Sequence, residues 1–154
     1  MPADYSPVPH FKQSNPGACL PAAARMVLAA LGDDRTEAEL AGVLGSYDFG
    51  TPASHIKRLS KLGYQVDYHA CSLAELRQHL STGMLPIVFV SADGLPWADF
   101  SGFHALVLAA IHDSEVWLHD PALTSGPTAL SIDGFLAAWS EFDYLAVVVS
   151  QSNR

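Results

Sequence analysis

Charge and cysteine are both scarce in this sequence. Only 16% of its 154 residues are charged while 49% are hydrophobic, the reverse of the composition that keeps a chain disordered. Two cysteines, Cys19 and Cys71, are too few to staple a chain of this length, which excludes a disulfide scaffold. Eight Lys and Arg against sixteen Asp and Glu give a formal net charge of −8. Lys57, Arg58 and Lys61 are the one basic grouping, so nothing offers the basic face that nucleic acid requires. No stretch reaches the roughly 18 apolar residues of a membrane span; the longest, Ala105 to Ile111, has the length of a strand. Met1 to Tyr5 lacks a basic region followed by an apolar one, so no secretory signal is read there. A cytoplasmic location with reduced thiols is the resulting expectation. Repeats, low-complexity tracts and linkers are missing too, which predicts one domain over residues 1–154. Gly42, Gly45 and Gly50 do not form a phosphate-binding loop.

What is present divides into two textures. The first half carries helix start and stop signals. Thr36-x-x-Glu39 and Ser72-x-x-Glu75 have the form of capping boxes, and Thr51-Pro52 suits the first turn of a third helix. Gly32, Gly45, Gly63 and Gly83 stand where helices would end. Helices are thereby predicted over about 20–31, 37–44, 53–62 and 73–81. The second half is strand-like, with short apolar or alternating runs at 64–69, 86–91, 104–111, 115–119 and 144–149 and a short helix at about 132–139. Helices followed by strands indicate an α+β fold rather than alternating parallel α/β.

Cys19 is the first candidate for chemistry. It follows the turn-forming Asn15-Pro16-Gly17-Ala18 and opens the strongest helical pattern in the chain, with Pro21 in the first turn. The positive end of a helix macrodipole favours thiolate over thiol, which is the environment of a nucleophilic cysteine. The same position also suits a small buried residue.

A nucleophile needs a base, and His104 opens the most apolar strand. Val116 to His119 then returns through a turn and delivers Asp120 ahead of Pro121. An odd number of residues in that turn puts Asp120 on the face of His104, where a carboxylate can orient the imidazole; a two-residue turn puts it on the opposite face. Gln13, six residues before Cys19, is a candidate amide donor for an oxyanion. His10 is the rival base. His119 alternates away from Asp120, and His55, His69, His79 and His112 read as solvated or edge residues. Cys71 reads as a buried structural thiol. Zinc wants clustered Cys and His pairs at short spacing, and neither Cys19 nor Cys71 is expected to have one, so no metal or cofactor is expected. Trp97, Phe100 and Phe103 either wall a substrate cleft or cap the sheet.

The run Gln13-x5-Cys19-x-Pro21-Ala22-x3-Met26-Val27-Leu28-x2-Leu31-Gly32 resembles the papain-like cysteine peptidases of the bacteriocin-processing, double-glycine-leader class. His104 to Leu108 is similar to that class's His strand, and Val116 to Ala122 to its Asp-Pro motif. Thr51 to Gly63, Ser72-Leu73, Gly83-x2-Pro86-Ile87 and Phe135-x3-Trp139 extend the resemblance over nearly the whole chain. It implies a papain-like fold in which the Cys helix of an N-terminal helical part packs on a C-terminal antiparallel sheet. It further implies Cys19 as nucleophile, His104 as general base and acid, Asp120 as its orienter, Gln13 as oxyanion donor, and a peptide or protein substrate. The class usually has Gly after the cysteine and a polar or small residue before it, where this chain has Leu20 and Ala18. Two readings of other kinds remain beside hydrolysis: a catalytically degenerate, peptide-binding module, and an acyl transferase using the same cysteine.

Overall fold

Among the described residues, six antiparallel strands form the sheet that carries the helices. The computed structural model describes residues 7–152, so Met1 to Tyr5, read above for a secretory signal, lie outside the described residues. The elements are α1 (Cys19–Ala30), α2 (Glu37–Leu44), a 3₁₀ segment (Ala53–Leu62), β1 (Tyr64–Ala70), α3 (Leu73–Ser81), β2 (Ile87–Ser91), β3 (Phe103–His112), β4 (Glu115–His119), β5 (Thr128–Ser131), α4 (Ile132–Ser140) and β6 (Leu145–Gln151). The strand order is β1-β6-β2-β3-β4-β5.

Both expected capping boxes form. Thr36 Oγ1 accepts from Glu39 N–H and Ser72 Oγ from Glu75 N–H, while each glutamate reaches back to the cap's own N–H. Residues 53–62 form a 3₁₀ helix where an α-helix is predicted. Thr51 does not cap it, because its hydroxyl bonds Ser46 Oγ at 2.6 Å. Its apolar stripe, Ala53, Ile56, Leu59 and Leu62, repeats every third residue, the period of a 3₁₀ turn. The strand β5 was not anticipated. Thr128 to Ser131 is short and polar, with Leu130 as its one buried residue, and its pairing with β4 defines it.

Helices cover both faces of the sheet, which is why its central strands read as unbroken apolar runs. Cys19, Ala23, Ala24 and Val27 of α1 pack with Phe89, Ala105, Val107 and Val147 in one cluster. On the other face, Leu76 of α3 and Phe135 and Trp139 of α4 join Val88, Leu106, Leu108 and Cys71. Among the described residues no helix is long and apolar enough to cross a membrane.

Candidate active site

Cys19 is the first residue of α1, and no side chain caps that helix. Its own N–H is therefore among the donors that the helix leaves without an internal acceptor. The side chain is buried, at 7% exposure. The next residue, Leu20, is wholly buried in the core cluster, so the bulk that replaces the usual glycine is taken up in the interior.

His104 begins the buried part of β3 and is itself buried at 1% exposure. Its Nε2 donates to Asp120 Oδ1 over 2.5 Å. The turn between β3 and β4 has two residues, Asp113 and Ser114, because His112 pairs with Glu115. A regular ladder from that turn would send Asp120 to the wrong face. Between Leu108 and Ala110 the register shifts, so that Val107 pairs with His119 and Leu108 with Leu118 while Ala109 has no partner. This bulge supplies the odd residue that the turn lacks and returns Asp120 to the face of His104.

Asp120 is fully buried and accepts from three donors. Besides His104 these are Trp97 Nε1 to Oδ2 at 2.8 Å and Ala122 N–H to Oδ1 at 2.8 Å. Burial pushes its pKa up, but the bond and charge of His104, with the Trp97 and Ala122 bonds, bring the carboxyl below its usual range. For His104, burial pulls the pKa down; the hydrogen bond to Asp120, the neighbouring Cys19 and the negative charge of Asp120 reverse this and raise it to about 9. Cys19 is thus close enough to act on the ring. Phe100 adds an edge-on ring at 4.8 Å from His104.

The segment carrying Gln13 is pinned beside this pair. Gln13 N–H donates to Pro121 O at 2.7 Å, and the Arg25 guanidinium of α1 covers the Phe11 ring at 3.8 Å. The Gln13 amide nitrogen donates to Asn15 O at 2.9 Å, and its Oε1 is buried without a partner among the described residues. His10 is committed elsewhere. Its Nε2 donates to Leu123 O at 2.7 Å, leaving Nδ1 to meet Nδ1 of His119 at 2.9 Å. His119 is pushed down to about 4, by burial and then by His10.

Two grooves flank the Gln13–Cys19 stretch. One of about 570 Å³ is lined by Gln13, Asn15, Phe100, Phe103 and Ala122, the other of about 530 Å³ by Gly17, Ala18, Pro21 and Tyr47, and both share Asn15, Pro16 and Phe49. Phe49 is 84% exposed and stacks on Tyr47. Sequence reasoning left Trp97 as either a cleft wall or a cap on the sheet and missed its hydrogen bond to Asp120. An indole in a loop that leads into the His strand was the available signal, since a buried Trp N–H seeks an acceptor.

A helix that begins at Cys19 and packs on an antiparallel sheet, with His104 at the start of β3, is the architecture of a papain-like cysteine peptidase domain. The solved structures it is similar to have that fold. A protein from Bacillus anthracis described as a C39-like peptidase matches at 16% identity and TM-score 0.77, covering 97% of each chain. The peptidase domain of Streptococcus ComA, a bi-functional ABC transporter involved in a quorum sensing pathway, matches at 19% and 0.76, covering 93% of this chain and 98% of that one. A double glycine motif protease from an AMS/PCAT transporter, in complex with the leader peptide, matches at 16% and 0.76, covering 96% and 94%. The family model for Peptidase_C39 like proteins matches residues 5–147, and the chain belongs to that family. No curated protein sequence matches the chain.

Proposed function

We propose that this chain is a thiol peptidase that cleaves a peptide amide bond with Cys19, His104, Asp120 and Gln13. The observation that carries the reading is the buried His104–Asp120 bond, with Cys19 close enough to the ring to raise its pKa. At neutral pH a ring raised to about 9 is an imidazolium, which supports an ion pair with a Cys19 thiolate formed by transfer of the thiol proton to His104. The thiolate attacks the scissile carbonyl carbon. The oxyanion takes hydrogen bonds from the Cys19 N–H and the Gln13 amide, which has a second N–H beyond the one given to Asn15. His104 then protonates the leaving amine as the C–N bond breaks. Water, deprotonated by His104, releases the acyl group and restores the thiolate–imidazolium pair. Asp120 keeps Nε2 occupied and so leaves Nδ1 for Cys19 throughout.

The substrate is a peptide strand lying across the two grooves that meet at Asn15, Pro16 and Phe49. The leader peptide held by the AMS/PCAT relative supports a double-glycine leader as its class. The test is cleavage of a peptide library that includes Gly-Gly sequences by the wild type and by Cys19→Ala. Cleavage confined to the wild type supports the reading. Peptide binding without cleavage by the wild type would mark a binding module instead, and amide exchange onto an added amine would mark an acyl transferase.

A further inference from the structure

The second cysteine lies in the hydrophobic cluster opposite that of Cys19 and has its own group of donors. Cys71 directly follows the edge strand β1, and its N–H is fixed to Tyr144 O at 2.9 Å. His69 is two residues earlier, so extended chain sends both side chains to the same side. Glu75 is the third residue of α3, and its capping box turns the carboxylate back over the chain before the helix, with one oxygen accepting from Ser72 N–H at 2.9 Å. A carboxylate has a second oxygen to offer. One ligand atom each from His69, Cys71 and Glu75 lies within 4.8 Å of the others, and Cys71 Sγ to His69 Nε2 is 3.6 Å.

That separation is a thiol–imidazole hydrogen bond, and it is also the edge that two ligands of one metal ion would span. Zn–S of about 2.3 Å and Zn–N of about 2.0–2.1 Å at a tetrahedral angle give an S···N edge of about 3.5 Å. We propose that His69, Cys71 and Glu75 bind a divalent metal of the zinc class and clamp the end of β1 to the start of α3. A mixed nitrogen, sulfur and carboxylate set suits zinc and its first-row neighbours, whereas calcium and magnesium take all-oxygen sites. Binding forms the metal–sulfur bond and releases the Cys71 thiol proton to solvent. His69 and Glu75 are exposed, so the fourth position opens to water. The sequence expectation of no metal rested on the lack of a cysteine and histidine cluster. His69-x-Cys71 is such a pair, and Glu75 joins it only when α3 folds back.

The site does not depend on the peptidase reading, and Cys19→Ala protein tests it because Cys71 is then the chain's single thiol. Zn²⁺ alone is titrated by calorimetry, and Co²⁺ is used as a spectroscopic probe. One Zn²⁺ per chain, a raised Tm and a thiolate-to-cobalt charge-transfer band are expected. His69→Ala and Glu75→Gln each weaken zinc binding at least about tenfold. Gln at that helix position still closes a capping box, and both side chains are exposed, so neither variant threatens the fold. No saturable zinc binding, no charge-transfer band, or binding indifferent to both variants overturns the proposal.

Discussion

His104 and Asp120 face each other across a hairpin whose turn, taken alone, would hold them apart. Two residues separate β3 from β4, and the unpaired Ala109 corrects the parity. The contact is therefore a property of the whole ladder.

Cys19→Ala and His104→Ala each abolish peptide turnover, by at least about 10³-fold in kcat, with circular dichroism and Tm close to the wild type. His10→Ala keeps kcat within a few-fold, because His10 is bonded to Leu123 and His119. Turnover that survives His104→Ala and fails in His10→Ala would exchange their roles.

An alkaline limb of peptidase activity, set by His104, is the expected outcome. Its pKa rises from an ordinary 6.5 to about 9, so acylation, which needs the ring's proton, declines as pH climbs through 9. The stabilisation from the protonated ring has the same sign. It is complete below pH 6.5 and is lost as pH rises through about 9. Asp120→Asn removes a hydrogen-bonded charge and moves the limb to lower pH. A kcat/KM profile that Asp120→Asn leaves in place contradicts this.

Trp97→Phe deletes one of three bonds to the Asp120 carboxylate while keeping an aromatic ring. The variant loses about 1–3 kcal/mol of stability, as expected when a buried acceptor loses a partner. Trp97 acts through Asp120, so kcat falls, KM stays near its wild-type value, and the alkaline limb shifts down. Loss of stability with an unchanged pH profile would make Trp97 structural only.

Iodoacetamide at pH 6 modifies Cys19 faster than an unstructured thiol, and His104→Gln slows the reaction to that reference rate. Cys71, whose pKa is pushed up to about 11 by burial and then by Glu75, stays unlabelled. Equal slow labelling of both cysteines in the wild type speaks against an activated nucleophile.

By itself the sequence determined what neighbouring residues decide: two capping boxes, a cysteine at a helix start with Pro21 behind it, apolar runs that become the central strands, and Gly45 and Gly63 at left-handed helix ends. These are local, because each depends on backbone hydrogen bonds and φ values within a few residues. The period-three stripe of Ala53, Ile56, Leu59 and Leu62 was equally present, yet only the Ser46–Thr51 bond shows why no α-helix is capped there. Tertiary structure alone decided the rest. The bulge at Ala109 exists through pairing between strands, Trp97 meets Asp120 across 23 residues and His10 meets His119 across 109. Such contacts depend on which polar groups are buried together, and burial is fixed only when the helices close on both faces of the sheet.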